Sequence, residues 1–372
     1  MTKNQKFFPV AKPNLSDLER RYLIEAFDSG WISSLGDFIY KFEEEFAKFI
    51  GVKYALTTSS GTAALHLALE ACEIGSVDEV ILPDLTFIAT ANAVRYTGAK
   101  PIFVDVERET LSISPAAIEN SITNRTKAII PVHLYGFPAD MERIMNIADK
   151  YNLVVIEDAA EAHGAEFNGK KVGSFGHIGI FSFYGNKIIT TGEGGMVVTD
   201  NKYLFERMKH LRDHAMDKDK RYWHNEVGFN YRMTNLQAAI GLAQLSRIET
   251  FIAKRRSIHK WYSQILDSTK GLRILEERPN TKSVYWMVSL VMSLFTEDSR
   301  NAFMSDLRAL GIDTRPFFYP ISLMPMYKQQ TRNPIAYEIY KKGVNLPTYH
   351  SLTKEDVKWI SEQVIAAVKK YH

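Results

Sequence analysis

From residue 54 to residue 200 the chain alternates between short apolar runs and longer segments whose apolar positions recur every three or four residues. The runs YALTT (54–58), EVILP (79–83), PIFVDV (101–106), KAIIPV (127–132), LVVIED (153–158), IGIFSF (178–183) and GMVVTD (195–200) predict strands. Several are apolar at every position, as strands covered on both faces must be. Between them TAALHLALEAC, IATANAVRYTG, SPAAIENSI and ADMERIMNIADKYN carry the i, i+3, i+4 spacing of helices. This alternation predicts an α/β architecture: a mostly parallel seven-stranded sheet with helices on both faces. The last two strands are joined by a loop alone, so that part of the sheet need not be parallel.

Beyond residue 200 the pattern changes. Thr234 and Gln237 have capping-box spacing, and Leu236, Ile240, Ala243, Leu245, Ile248 and Ile252 then predict one long helix continuing past Trp261. Further on, VYWMVSLVM (284–292) predicts a strand, SRNAFMSDLRALG (299–311) a helix stopped by Gly311, and TKEDVKWISEQVIAAVKKY a closing helix. The expected division is a large α/β domain with an N-terminal arm over 1–245 and a small α+β domain over 246–372.

Composition narrows the class. The chain has 372 residues, 45% hydrophobic and 24% charged, which is ordinary for a globular protein and excludes disordered and fibrous classes. Its net charge of +3 is spread without a basic tail, against a nucleic-acid partner. A single cysteine, Cys72, rules out an intrachain disulfide framework. No apolar stretch approaches the ~18 residues of a membrane span, and the N-terminus lacks a signal-peptide pattern. A cytoplasmic enzyme is expected.

The chemistry gathers at strand ends. Asp158 closes LVVIED at the carboxyl end of a strand, where open α/β sheets place ligands. Ser182 and Lys187 follow in FSFYGNK, with Gly185, Gly192, Gly194 and Gly195 around the lysine, which lets backbone approach a bulky ligand. A Lys–Asp pair alone is as well explained by a surface contact. In SSGTAALHLAL (59–69) a strand, a small turn and a helix start make an anion site or an ordinary turn. Phe87, past another strand end, packs the core or covers a planar ring. Together a lysine amine, a carboxylate, an anion cradle and a flat aromatic suit pyridoxal 5′-phosphate (PLP). His133 reads as structural, and His163 as close to the cofactor with no proton-transfer role. No histidine shows metal-ligand spacing. The glycines of GKKVGSFGHIGI do not make a dinucleotide fingerprint, and Lys254-Arg255-Arg256 reads as a solvated helix face.

The blocks WISSLGDFIYKFEEEFAKFIGVKYALTTSSGTAALHLAL, EVILPDLTFIATANAV, IEDAAEAHGAEFNGKKVGSFG, FSFYGNKIITTGEGGMVVTD and GFNYRMTNLQAAIGLAQL resemble the DegT-type sugar aminotransferases over essentially the whole chain. The resemblance implies a fold-type I PLP-dependent transferase. It matches Lys187 with the lysine that holds the cofactor covalently and Asp158 with the partner of the pyridine nitrogen. Glu161 matches the position near the ring hydroxyl, and Phe87 the stacking aromatic. Gly61, Thr62 and Ser182 match the phosphate cradle. Asn235 matches an asparagine that reaches the phosphate of a neighbouring subunit, so a homodimer with shared active sites is implied. Relatives with histidine in place of the lysine are dehydratases, so Lys187 implies transamination, with L-glutamate leaving as 2-oxoglutarate.

RYWHNEVGFNYRMTN and TRPFFYPISLMPMY are most similar to the perosamine-forming branch, which aminates GDP-4-keto-6-deoxy-D-mannose for O-antigen polysaccharide. Trp223, His224, Arg315 and Tyr319 are then candidates for contacts to sugar or nucleotide. Alternatively Trp223 packs, Arg315 pairs with an acid, and Tyr319 belongs to a domain interface. TDP- or UDP-linked keto-sugars are the alternative substrates. A sensor that keeps the cofactor without turnover is an alternative of another class, and a nicotinamide dehydrogenase is weakened by the missing glycine fingerprint.

Overall fold

A computed structural model describes residues 6–328 and 333–371. The first five residues of the expected N-terminal arm and the final residue, 372, lie outside it. In chain order the strands of the first half are β1 (Tyr54–Thr58), β2 (Glu79–Pro83), β3 (Lys100–Val104), β4 (Thr126–Ile129), β5 (Val154–Asp158), β6 (Glu166–Phe167), β7 (Lys170–Lys171), β8 (Ile178–Ser182) and β9 (Gly195–Thr199). Seven of them make one sheet in the order β1-β9-β8-β5-β4-β2-β3. β9 runs antiparallel to both neighbours, while β8, β5, β4, β2 and β3 are mutually parallel. This is the mostly parallel seven-stranded α/β sheet that the alternation of the sequence predicts.

The sheet explains the continuously apolar runs. Alternate residues enter different cores: Ile81, Ile129 and Val155 face one, and Val80, Leu82, Ala128 and Ile156 the other. With both faces covered, a polar residue within such a strand would be buried without water. The helices of this half are α1 (Asp17–Asp28), α2 (Asp37–Ile50), α3 (Gly61–Ala71), α4 (Ala89–Tyr96), α5 (Pro115–Asn120), α6 (Met141–Tyr151) and α7 (Lys202–Arg212). α3 is buried along nearly its whole length, which fits its almost unbroken apolar sequence.

The long helix expected from Thr234 is two helices, α8 (Asn235–Leu245) and α9 (Ile248–Leu266). The capping box forms: Thr234 accepts from the Gln237 N–H, and the Gln237 side chain accepts from the Thr234 N–H at 3.0 Å. The break comes at Ser246, whose hydroxyl donates to the Ala243 carbonyl at 2.8 Å, and at Arg247, whose backbone leaves helical geometry. The apolar stripe alone carried no sign of this local competition for a helix carbonyl.

The remaining strands are β10 (Leu272–Ile274), β11 (Thr281–Lys282), β12 (Val288–Met292), β13 (Arg315–Pro316) and β14 (Gly343–Leu346). β10, β12, β14 and β13 form a second, antiparallel sheet, covered by α9, α10 (Glu297–Ala309) and α12 (Lys354–Lys370) around a third core. A short helix, α11 (Pro334–Ile339), precedes β14. The expected division groups the N-terminal arm with the first region, yet Phe8 lies in this third core and bridges to Ile312.

Candidate active site

The carboxyl ends of β5 and β8 and the start of α3 converge on one place. Asp158, the last residue of β5, is 5% exposed. Its Oδ2 accepts from the Thr90 hydroxyl on α4 at 2.8 Å, and its Oδ1 from the Ala160 N–H at 3.2 Å. Burial pushes its pKa up, and the two hydrogen bonds and the charge at Lys187 pull it back down. Among the described residues no cation reaches it within ion-pair distance.

Three residues on, buried Glu161 accepts from the Tyr135 N–H at 2.8 Å and lies 3.4 Å from the Lys187 amine. Burial raises its pKa, opposed chiefly by Lys187 and by the Tyr135 N–H. Tyr135 holds a left-handed backbone (φ 55°), an uncommon posture for a bulky residue. The Lys187 amine also lies over the Trp286 ring, 4.0 Å from its centroid. Trp286 is anchored by its indole N–H, which donates to the Asn186 carbonyl at 2.8 Å.

The anion cradle is built by a close approach. A Cβ on Gly61 would fall 2.8 Å from the Ser182 Cβ, so only glycine lets α3 start against the end of β8. The Ser60 hydroxyl caps the Ala63 N–H, which leaves the Gly61 and Thr62 N–H groups in the unpaired first turn. The Ser182 hydroxyl accepts from the Tyr184 N–H at 3.4 Å, and its own proton meets no acceptor among the described residues. Phe87 stands 54% exposed after β2, its ring 5.7 Å from that of Phe318, which stacks in turn on Tyr135 at 5.5 Å.

These features fit PLP. A buried carboxylate without a cation, unpaired helix-start N–H groups beside a free hydroxyl proton, and an exposed aromatic face are what its ring nitrogen, phosphate and ring require.

Asn235 departs from the expectation. It begins α8 as the capping box predicts, but it is 2% exposed and both ends of its carboxamide are engaged within its own chain. Its Nδ2 donates to the Trp31 carbonyl at 2.7 Å, and its Oδ1 accepts from the Phe38 N–H at 3.1 Å. Gly36 (φ 146°) packs so close that any Cβ there would lie 2.3 Å from the Asn235 side chain. Within GFNYRMTN the exposed carboxamide is Asn230, whose oxygen meets only Arg232 among the described residues.

None of the four candidates for sugar or nucleotide touches Lys187 among the described residues. The Trp223 indole donates to Asn225 at 2.8 Å beneath the Lys220 amine. The His224 ring bonds the His214 carbonyl at 2.8 Å. Arg315 pairs with Asp313 at 2.7 Å, and the Tyr319 hydroxyl donates to Glu297 at 3.0 Å.

His133 is structural as expected: one ring nitrogen accepts from the Ala139 N–H at 3.0 Å, so the other donates to Glu157 at 3.1 Å. His163 is wholly buried beside Phe181 and Phe183, and neither ring nitrogen reaches hydrogen-bond geometry. Burial first, then the charge of Lys187, push its pKa down to about 3, with the Ser182 backbone opposing weakly. Thr90, Tyr135, Trp286 and Phe318 were not singled out in the sequence. Thr90 had a faint signal, a hydroxyl within the strand-end block that holds Phe87. Trp286 had none, because it meets Lys187 across 99 residues of chain.

The model of the DegT/DnrJ/EryC1/StrS aminotransferase family matches residues 13–366. The chain is 48% identical over 360 residues to the GDP-perosamine synthase of Escherichia coli O157:H7, covering 96% of this chain and 98% of that one. It is 48% identical over 363 residues to the GDP-perosamine synthase of Caulobacter vibrioides, covering 96% of each. Among solved structures it superimposes on the PLP form of the putative sugar aminotransferase Spr1654 from Streptococcus pneumoniae with a TM-score of 0.94. That match is at 25% identity and covers 99% of this chain and 100% of that one.

Proposed function

From the premise that the chain belongs to the DegT/DnrJ/EryC1/StrS aminotransferase family, as a PLP-dependent sugar aminotransferase, we propose that it aminates C4 of a GDP-linked 4-keto-6-deoxysugar. The substrate is GDP-4-keto-6-deoxy-D-mannose, the product GDP-perosamine for O-antigen polysaccharide, and the amino donor L-glutamate. The reading is carried by near-full-length similarity to two relatives of that name, each at 48% identity.

When bound, PLP supplies a ring that takes up the electron pair left as a carbon loses its proton. Lys187, beside the Glu161 carboxylate and the Trp286 ring, would hold the cofactor and move that proton at its Nζ. Asp158, fixed by Thr90 and the Ala160 N–H, keeps a positive charge on the ring nitrogen, where a neutral amide would not. Gly61, Thr62 and Ser182 would hold the phosphate, Phe87 would cover the ring, and Glu161 would serve the ring hydroxyl. Trp223, His224, Arg315 and Tyr319 recognise sugar or nucleotide after leaving their present partners.

Leu15, Ile24, Phe27, Trp31, Ile32 and Leu35 leave large apolar side chains exposed in one stretch of chain, which supports pairing of two copies as a homodimer. No helix among the described residues is long and apolar enough to cross a membrane, in keeping with a cytoplasmic site of action. The test is an amination assay with glutamate over GDP-, TDP- and UDP-linked 4-keto-6-deoxysugars, with products identified by NMR. Amination of the GDP-linked mannose derivative at least about tenfold faster than the others is expected. Preference for a TDP- or UDP-sugar would move the assignment, and no turnover with an unbleached cofactor band would favour the sensor.

A further inference from the structure

Lys254-Arg255-Arg256 was expected to be a solvated helix face, and Arg255 departs from it. It lies on α9, is 5% exposed, and donates from one terminal nitrogen to the carbonyls of Trp286 (2.7 Å) and Thr348 (2.8 Å). No carboxylate pairs with it among the described residues, and burial pushes its pKa down to about 10. A buried guanidinium without counter-charge is costly, because carbonyl dipoles replace only part of its lost hydration. Arg255 borders a small cavity shared with Lys12, Asn14, Lys187, Gln244 and His350.

No acidic residue lines this cavity, whose remaining walls are Pro13, Ile188, Thr190 and Phe251. The space free to a water-sized occupant is about 10 Å³, on the scale of one water or one small ion. The Nδ1 of His350 is buried there without a partner. Burial, and then Lys254, Arg247 and Arg255, hold the His350 pKa below its ordinary value, and Lys187 is paired with Glu161 at 3.4 Å. The positive charge left unpaired among the described residues is therefore that of Arg255, with the exposed Lys12 at the rim. A water could bridge these groups but could not offset their charge.

We propose that this cavity binds a single small inorganic anion of the halide class, chloride in solution, which neutralises Arg255 and fastens the N-terminal arm at Lys12 to α9 and the Lys187 loop. The site does not require that Lys187 carry a cofactor, so its failure and that of the proposed function are separable.

The test uses the full-length protein as purified, moved into gluconate, which is too large for the cavity, and titrated with chloride at constant ionic strength. A saturable rise in Tm is expected, about 2 °C at ten times the Kd. Arg255→Gln removes the charge while keeping a polar side chain, so it should weaken the chloride response at least about tenfold. If that variant does not fold, Lys12→Gln decides, with a several-fold weaker response expected. Crystals soaked in bromide should show an anomalous peak in hydrogen-bond reach of the Arg255 guanidinium. No saturable response in the wild type, an equal response in whichever variant folds, or water density alone in the cavity overturns the proposal.

Discussion

At the ends of β5 and β8, Asp158, Glu161 and Ser182 are buried, and each keeps some capacity for charge or hydrogen bonding that the protein leaves unspent. Along residues 214–228 and 313–319 the arrangement is reversed. Trp223, His224, Arg315 and Tyr319 stand at the surface with their polar atoms already given to neighbours. Buried polar capacity is expensive, so a floor of this kind persists only where a bound group completes it. Exposed pairs are worth little and rearrange cheaply. The floor is therefore built to be completed by a bound group, whereas the rim can be reshaped by a substrate.

The largest effect should break the floor. Lys187→Ala is expected to lower turnover by about 10⁴-fold or more with an unchanged far-UV circular dichroism spectrum, and turnover near wild type would remove Lys187 from the mechanism. Asp158→Asn should lower turnover by about 10²–10³-fold with the Thr90 contact preserved. An unaltered rate there would mean that the ring nitrogen has another partner.

Asn235 and Asn230 sharpen the contrast inside one segment. Asn235→Ala strands the Trp31 carbonyl and the Phe38 N–H, so denaturant unfolding should show a loss of about 1–3 kcal/mol. Asn230→Ala should leave stability within ~0.5 kcal/mol while weakening PLP retention several-fold, if the exposed carboxamide is the one that serves a second subunit. Reversed results would restore Asn235 to that role.

His163 gives the floor a pH dependence. Its folded pKa is about 3 against an ordinary 6.5, so the unfolded chain binds the proton more readily. The stability it permits is full above pH 6.5 and is lost as the pH falls toward 3, by about 2 kcal/mol at pH 5. His163→Phe should flatten that part of the stability profile, and an identical slope in the variant would show that other groups set it. The smallest effect belongs to the rim: Tyr319→Phe should change stability by less than ~1 kcal/mol. A raised KM for the nucleotide-sugar at constant kcat would reveal that its hydroxyl leaves Glu297 for substrate.

The main sheet was legible because both of its faces are buried, and the strand runs at 79–83 and 178–183 coincide with β2 and β8 to within a residue. The floor was partly legible because Asp158, Ser182 and Lys187 sit at strand ends. Its supports were hidden because they arrive from distant chain: Thr90 is 68 residues from Asp158, and Trp286 lies in the bend that leads into β12 of the second sheet. The single helix expected past Thr234 failed at Ser246, where a side-chain bond overrode the apolar period. Arg255 was misread because three consecutive basic residues suggest one solvated face, although successive helix positions point about 100° apart.

Borohydride reduction of the PLP-loaded protein, followed by peptide mapping, identifies the lysine that carries the cofactor. A pyridoxyl mass on the peptide carrying Lys187, and on no other, is predicted. A label on another lysine, or none while the cofactor stays bound, would contradict the account.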